Sequence, residues 1–321
     1  MILLNVARPV GAADPVELAG VALAAGLDGV ALADSPRLFP DPLVETSRVL
    51  AGTSARLAGP CVLSLGLRHP AAAAGAVRTL DAHHPGRVLA VVGRGESSVS
   101  NEGLRPPAPR AYEESLGTLR ELVPSSVTLL GAASGPRTIA ATATRLGGVL
   151  VDAGADPAIV GKAVALARSV RPDATVWLFV RAVVTDDPAA AAAPILGSCA
   201  ARLVRAPDWF DVPPGLRAGV ASVAAAHDYR RHGTADARGG ATVPAEADRF
   251  VRERFVVTGD RRAVAERFAA FGALGVDGVV LAGALGGVWE RLDDLGAAVR
   301  AGLRNPGSTS RVPPRDGWRK D

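Results

Sequence analysis

The chain has 321 residues, of which 48% are hydrophobic, 21% charged and 4% aromatic. This length and apolar content fit either two ordinary domains or one α/β barrel. Its 36 basic and 32 acidic side chains are interspersed, so the formal net charge of +4 rests on a small excess. Because no basic stretch is interleaved with aromatic residues, the composition argues against nucleic-acid binding and leaves only a modest attraction for anionic ligands.

Two cysteines, Cys61 and Cys199, lie far apart without the spacing of a zinc site. They provide no disulfide framework, so we expect reduced thiols and no metal. The N-terminal residues lack a basic region followed by a long apolar run, and no uncharged apolar stretch reaches spanning length. We therefore expect a cytoplasmic protein with no membrane partner.

Short apolar runs rich in Val, Leu and Ala alternate with stretches of helical length, as expected for strands buried on both faces and joined by helices. Several helix starts are marked by a polar residue before a proline, at Asp14, Asp41, His69 and Asp156. Eight alternating units without a Gly/Ser linker favour a closed (β/α)8 TIM barrel over an open doubly wound sheet. The predicted strands lie near Ile2–Val6, Gly29–Ala33, Leu57–Leu65, Val88–Val92, Val127–Leu130, Val149–Val151, Val176–Val184 and Val276–Leu281.

The alternation is interrupted between residues 206 and 254, within a single domain that we expect to span residues 1–304. Helical segments are predicted there at Pro214–Arg231 and Pro244–Arg254, on either side of a glycine-rich turn. We interpret the region as a helical insertion after strand seven that covers the barrel mouth, with a simple packing extension as the alternative. Residues 305–321 are polar, proline-rich and basic, which predicts a flexible tail.

The junctions that follow the strands are the candidate site, because ligand groups of α/β barrels lie at the C-terminal ends of the strands. After strand two, Asp34 and Ser35 could bond the edge of a ligand or cap a turn. After strand four, glycines and hydroxyls from Gly93 onward could cradle an anion or form a plain flexible loop. This loop does not match a dinucleotide-binding GxGxxG motif, because position 98 is serine.

The turn after strand five, Ala132 to Thr138, leads into another predicted helix. Ser134 is a candidate N-cap there, and the start of the helix could receive a phosphate or could be an ordinary capped terminus. No HExxH, GxSxG or Walker motif is present in the sequence, so hydrolytic chemistry has little support.

Several segments resemble the luciferase-like flavin and deazaflavin oxidoreductases. Their order and spacing cover most of residues 15–285, and the similarity is to the branch of methylenetetrahydromethanopterin reductase, in which an Asp-Ser pair follows strand two. The segments are GLDGVALADSPRLFPDP, AGPCVLSLGLRHP, VVGRGESSVSN, LLGAASGPRTIAATATRLGG and FVVTGDRRAVAERFAAFGALGVDGVVLAG.

The resemblance implies a TIM barrel that holds a tricyclic coenzyme in its mouth, and a non-prolyl cis peptide at Cys61–Val62. It also implies hydride transfer between carbon 5 of coenzyme F-420, an 8-hydroxy-5-deazaflavin, and a small C=C or C=N substrate. The alternatives are an FMN-dependent monooxygenase and a non-catalytic, cofactor-binding paralogue. A homodimer is the expectation for this family.

The same resemblance assigns the cofactor-binding residues. The ring and side chain are expected to lie against Asp34, Ser35, Cys61, Val62, Leu63, Gly93, Arg94, Gly95, Ser97, Ser98 and Asn101. The phosphate is expected at Ala133, Ser134, Gly135 and Pro136.

Three positions depart from the family pattern. Many relatives have histidine where this chain has Ser35, and the reductase branch has a strand-one glutamate near the position of Asn5. Cys61 stands where glycine is common. The usual proton donor is therefore missing, and the candidate catalytic residues are Asp34, Ser35 and Glu96, or a bound water.

Overall fold

A computed structural model of the protein describes residues 1–9, 11–232, 237 and 242–304. The strands are β1 Ile2–Val6, β2 Gly29–Leu32, β3 Leu57–Ser64, β4 Leu89–Gly93, β5 Thr128–Ala133, β6 Gly148–Val151, β7 Thr175–Val184, β8 Val256–Gly259 and β9 Gly278–Ala282. The helices are α1 Pro15–Ala24, α2 Pro42–Gly52, α3 Pro70–His83, α4 Glu96–Asn101, α5 Pro109–Leu122, α6 Pro136–Leu146, α7 Pro157–Val170, α8 Pro188–Ala192, α9 Leu196–Arg205, α10 Arg217–Ala225, α11 Ala245–Phe255, α12 Arg261–Ala273 and α13 Leu292–Leu303. The predicted tail, residues 305–321, lies outside the described residues, as does much of the predicted glycine-rich turn.

The strands close into a parallel barrel. Strands β1 to β6 pair in chain order, and β6 pairs with β7. Strand β9 then joins β7 to β1 and completes a ring of eight strands. The structure thus confirms the predicted (β/α)8 TIM barrel.

Helix starts follow the proline signals in the sequence. Asp14, Asp41 and Asp156 each accept a hydrogen bond from a backbone N–H in the first turn of the helix that follows. His69 caps α3 in the same way through its ring. In each case proline occupies the first helical position, where its missing N–H costs no hydrogen bond.

Strand β8 is absent from the predicted set of eight strands. It pairs only with the last four residues of β7, Arg181–Val184, whereas β9 pairs with Trp177–Val180. The four residues of β8 follow α11 directly, without a turn that would separate strand from helix. The prediction failed because periodicity cannot distinguish so short an apolar run from the end of a helix.

Helices α8 to α11 connect β7 to β8, and this whole connection is called the insertion; it begins with α8 and α9, ahead of the predicted residues 206–254. The predicted segment Pro214–Arg231 contains α10 between short 3-10 turns, Pro214–Leu216 and Tyr229–Arg231. The predicted segment Pro244–Arg254 corresponds to α11. Helix α9 also belongs to this connection, and its buried face carries Cys199 and Leu203.

The barrel interior is filled by side chains that alternate with those facing the outer helices. Trp177 of β7 supplies the largest of these side chains and is 4% exposed. The interior cluster consists of Leu3, Ala31, Leu57, Cys61, Leu89, Val91, Leu130, Leu150, Trp177 and Val280. This packed core closes the barrel from below, so a ligand can enter only from the ends of the strands.

Candidate active site at the barrel mouth

The top layer of the barrel interior divides into a polar half and a small-residue half. Asn5 on β1, Asp152 just after β6 and Arg181 on β7 lie at this level. Asn5 and Asp152 come two residues after an interior core residue, and Arg181 comes four residues after one, so all three side chains are on the interior side. Strands β4 and β5 bring Gly93 and Ala132 to the same level. The two halves of the mouth therefore differ in polarity and in side-chain size.

Asn5 ties three neighbouring strands together. Its amide nitrogen donates to the carbonyl oxygens of Cys61, at 2.9 Å, and Ala31, at 3.3 Å. The peptide bond between Cys61 and Val62 is cis, and the register with β4 shifts between Cys61 and Leu63. Asn5 therefore holds the end of β3 in place. It is the residue near whose position the reductase branch has a glutamate.

Two glycines let β4 and its loop approach this bulge closely. A Cβ on Gly93 would lie 2.6 Å from Cγ1 of Val62, so only glycine lets Val62 lie over the end of β4. Gly95 has φ of 75°, in the left-handed region, and a Cβ there would overlap the hydroxyl of Ser64. The half-buried Val62 thus forms one wall of the small-residue half.

Asp34 is held by groups of the β3–α3 connection. Its Oδ2 accepts from the backbone N–H of Ser64 at 2.9 Å, and its Oδ1 lies 3.6 Å from Nη2 of Arg68. Burial raises the pKa of this carboxyl, although Ser64 and Arg68 partly offset the effect. Ser35 is buried, and its carbonyl oxygen accepts from the N–H groups of Leu38 and Phe39.

The predicted side chains of the β4–α4 segment point in different directions. Arg94 turns away and donates from Nε to the carbonyl of Pro107 at 3.0 Å, while Ser97 is exposed. Ser98 is buried and donates to the carbonyl of Gly95 at 3.3 Å. The backbone bends around this buried serine.

Two bonds join α4 to the insertion. The carboxylate of Glu96 forms an ion pair with Arg205 of α9. Asn101 donates from its amide to the carbonyl of Tyr229 at 3.4 Å. These bonds place the insertion beside the small-residue half of the mouth.

The N-cap of α6 differs from the prediction. Gly135, not Ser134, is the cap residue, and no side chain caps this terminus. The reason is that Pro136 occupies the first helical position, which fixes the residue before it as the cap. A Cβ on Gly135 would meet no heavy atom within 4 Å, so the space above this helix start is open.

A cavity of about 680 Å³ lies at the rim of the mouth, lined by Arg37, Leu38, Asn101 and Arg230. Arg37 donates from Nε to the carbonyl of Asn101 at 3.0 Å and pairs with Glu102 at 3.1 Å. Arg230 has an exposed side chain. The cavity therefore carries two guanidinium groups next to α4.

Asp152 lies between two arginines in the polar half. Arg181 contacts it with both terminal nitrogens, at 2.6 and 2.9 Å, and Nε of Arg202 lies 2.6 Å from its Oδ2. Burial by itself would raise the pKa of Asp152, but the two guanidinium groups outweigh it and lower that pKa to about 2. Arg181 also stacks over the rings of Phe179 and Phe255.

A group of rings from the insertion lies near this ion cluster. Nε2 of His227 is 2.9 Å from Nδ1 of His232, and the ring of Tyr229 lies close to both. Burial, with further effects of His227, Arg202 and Arg181, lowers the pKa of His232 to about 3. His232 is therefore neutral at physiological pH.

The prediction from sequence missed the ion cluster. Asp152 directly follows the apolar run of β6, and Arg181 interrupts the apolar run of β7. Both are signals, because a charge among buried strand residues requires a partner. The partner Arg202 could not have been identified in this way, because it comes from the insertion.

Within the described ranges, no group of three or more His, Cys, Asp or Glu side chains is arranged to hold a metal ion. In the same part of the chain, no helix is both long and apolar enough to span a membrane.

Residues 6–131 match the family model described as luciferase-like monooxygenase. The match covers less than half of the chain and is a similarity to this family. The matched residues begin at the last residue of β1 and contain β2 to β4 and most of β5. They include the bulge at Cys61–Val62 and the whole small-residue half of the mouth except Ala132. No curated protein sequence matches the chain.

Solved structures share the fold of this chain. A coenzyme F-420-dependent tetrahydromethanopterin reductase from Methanopyrus kandleri is 16% identical with a TM-score of 0.68, covering 94% of this chain and 99% of that one. An F-420-dependent secondary alcohol dehydrogenase, in complex with an F-420–acetone adduct, is 17% identical with a TM-score of 0.69, covering 95% and 99%. A monooxygenase from Streptomyces bottropensis is 19% identical with a TM-score of 0.61, covering 95% and 99%. At such identities these likenesses extend to the fold alone.

Proposed function

We propose that this protein is a coenzyme F-420-dependent oxidoreductase that transfers hydride to or from a small substrate with a C=C or C=N bond. The observation that carries the proposal is the division of the mouth into two halves. In the small-residue half, the side chain of Val62 lies over Gly93 and presents an apolar surface, and the rim cavity carries Arg37 and Arg230. A flat ring would pack against the apolar surface, and an anionic tail would bind at the two guanidinium groups.

The rim cavity favours a deazaflavin over FMN. The side chain of FMN ends in one phosphate, whereas the longer tail of the deazaflavin coenzyme carries a phosphodiester and further carboxylates. Two guanidinium groups at the edge of a cavity of about 680 Å³ suit the longer anion. Two of the proteins that share the fold are described as F-420-dependent, which supports this choice.

When bound, the coenzyme supplies hydride chemistry at carbon 5 of its ring. The chain supplies position and shielding. Val62 and Gly93 support one face of the bound ring, and the ion pair between Glu96 and Arg205 fastens the insertion over the edge of the mouth. This closure limits the access of water to the reacting carbon.

Of the candidate catalytic residues, Ser35 is the one we propose to touch the substrate. The carboxylate of Asp34 is engaged by Ser64 and Arg68, so Asp34 acts as a positioning residue that fixes the end of β3. The carboxylate of Glu96 is engaged by Arg205. The hydroxyl of Ser35, at the end of β2, can donate a proton to the substrate, and a base or a water molecule then returns a proton to the serine oxygen.

The test is a titration of the purified protein with coenzyme F-420 and with FMN, following ligand fluorescence at several salt concentrations. We expect micromolar, salt-weakened binding of the deazaflavin and weaker binding of FMN. Arg230→Gln should weaken deazaflavin binding by about tenfold, which corresponds to loss of one charge-assisted contact. Arg110→Gln, at an exposed pair with Glu114 on α5, is the matched control.

The second candidate is an FMN-dependent monooxygenase, favoured by the description of the matching family and by the monooxygenase among the fold relatives. Preference for FMN in the titration, together with oxygen uptake by the reduced complex, would select this function. Tight deazaflavin binding without turnover on any substrate would select a non-catalytic paralogue. Binding of neither ligand would refute the cofactor assignment.

A further inference from the structure

The buried charges in the polar half of the mouth do not cancel. Asp152 is the partner of both Arg181 and Arg202, so one carboxylate faces two guanidinium groups. In the described part of the chain, neither arginine has an ion pair with another carboxylate. A buried charge that lacks its own counter-ion is unfavourable, so the cluster has an excess positive charge that an anion would stabilise.

The neighbouring titratable groups do not change the excess positive charge of the cluster. Burial raises the pKa of the Cys61 and Cys199 thiols, so both stay neutral. His232 is neutral because its pKa is lowered to about 3. The nearby Arg205 is itself paired with Glu96. The excess of one positive charge therefore persists at neutral pH.

Arg202 has donors to spare. A guanidinium carries five N–H groups, and Arg202 uses Nε for Asp152 and Nη1 for the carbonyl of Ser198 at 2.6 Å. Its Nη2 makes no hydrogen bond to a described residue. The side chain of Arg202 is 23% exposed, whereas that of Arg181 is 5% exposed, so Arg202 presents the accessible edge of the cluster.

The cluster lies across the mouth from the wall that we assign to the coenzyme ring. In the ring of eight strands, β7 stands opposite β3, and β6 stands opposite β2. Arg181 on β7 therefore lies across the barrel from Val62 on β3, and Asp152 after β6 lies across from the end of β2. A molecule that lies on the coenzyme ring would reach Arg202 with its far end.

We propose that Arg202, supported by Arg181, binds an oxyanion of the substrate, either a carboxylate or a phosphate. Asp152 holds the two guanidinium groups in one fixed arrangement, and their remaining donors and excess charge recognise the anion. Calling the occupant a substrate rests on the proposed function, whereas the oxyanion site itself does not. The substrate of this enzyme thus belongs to the class of small anionic compounds.

The test measures thermal unfolding with increasing inorganic phosphate, at constant ionic strength set with sodium chloride and without coenzyme. Binding to the native state raises the unfolding midpoint. We expect phosphate to stabilise the wild-type protein and Arg202→Gln to weaken its apparent affinity by about tenfold or more. Arg217→Gln, at a pair with Asp208 in the same insertion, is the matched control and should respond like the wild type.

Asp152→Asn gives a result of opposite sign. It removes the negative charge and leaves both guanidinium groups without their partner, so phosphate should bind more tightly and raise the midpoint by a larger increment than in the wild type. An ion-pair network with only a structural role predicts no change in the response to phosphate for either variant. Equal phosphate responses in wild type and Arg202→Gln, no response beyond that to chloride, or a weaker response in Asp152→Asn would overturn the proposal.

A second titration tests whether the oxyanion at Arg202 belongs to the substrate or to the coenzyme. Arg202→Gln should bind coenzyme F-420 as the wild type does, and phosphate should not displace the coenzyme. A tenfold loss of coenzyme affinity in Arg202→Gln would overturn the assignment to the substrate, because the site would then hold the coenzyme's own phosphate. Phosphate binding by a protein that takes up neither F-420 nor FMN would leave the oxyanion site standing and refute the proposed function alone.

Discussion

Replacing His232 should remove a specific part of the acid sensitivity of the fold. Burial, together with the charges of His227, Arg202 and Arg181, lowers the pKa of this histidine from 6.5 to about 3. Below about pH 6.5 the unfolded chain binds a proton at this position and the native state does not, so the native state loses stability as the pH falls. The loss is about 1.4 kcal/mol for each pH unit and ends near the native pKa.

The measurement is the free energy of unfolding in urea at pH 7.5 and at pH 4.5. In the wild type, His232 should lower the free energy of unfolding by about 2.7 kcal/mol between these conditions. The reason is that pH 4.5 lies two pH units below the pKa of histidine in the unfolded chain. His232→Gln keeps a hydrogen-bonding side chain opposite His227 and cannot titrate. The difference between the two pH values should therefore shrink by about 2.7 kcal/mol in this variant.

A matched control and a refuting result belong to this experiment. His83→Gln removes an exposed imidazole at the end of α3 and is the control for the substitution itself. If His232→Gln shows the same loss of stability as the wild type, then His232 is protonated in the native state, and its neutral burial beside the two arginines is wrong.

Four further substitutions test the packing and charge of the mouth, each by urea unfolding. Gly95→Ala should destabilise the fold by about 2 kcal/mol or more, because of its left-handed φ and the overlap with Ser64; a neutral result would mean that the loop moves freely. Asp152→Asn should lower the free energy of unfolding by about 3 kcal/mol or more, because it leaves buried cations unpaired. Arg202→Gln should lower it by only about 1 kcal/mol, because the bidentate pair between Arg181 and Asp152 remains. The reverse order would contradict the burial of the cluster. Asn5→Ala should cost about 1–3 kcal/mol, because two buried carbonyls lose their donor; an unchanged stability would show that water replaces the amide.

The barrel itself was predictable because its signals are local. Each strand is a short apolar run, and helix starts such as Asp14-Pro15 and Asp156-Pro157 are fixed by the geometry of proline and the hydrogen bonds of the cap. The position of ligand groups at the strand ends then follows from the parallel topology. Where the local signal was weak, as in the four residues of β8, the prediction failed.

The candidate residues were located by position, but their directions were not. Asp34 and Glu96 lie at the ends of β2 and β4 as predicted, yet the carboxylate of Asp34 turns to Ser64 and that of Glu96 to Arg205. These partners are 30 and 109 residues away in the chain. A side chain's partner across such a distance depends on how loops fold together, which the sequence pattern does not contain.

The sequence by itself determined the closed parallel barrel, the starts of its helices and the strand ends at which the candidate site lies, because periodicity and capping act over a few residues. Only the tertiary structure decided that the mouth has a small-residue half and a polar half, and that Arg202 from the insertion joins Arg181 at Asp152. A buried charge forces its partners to assemble, but which partners are near is a property of the whole fold. The homodimer remains a prediction of the family resemblance.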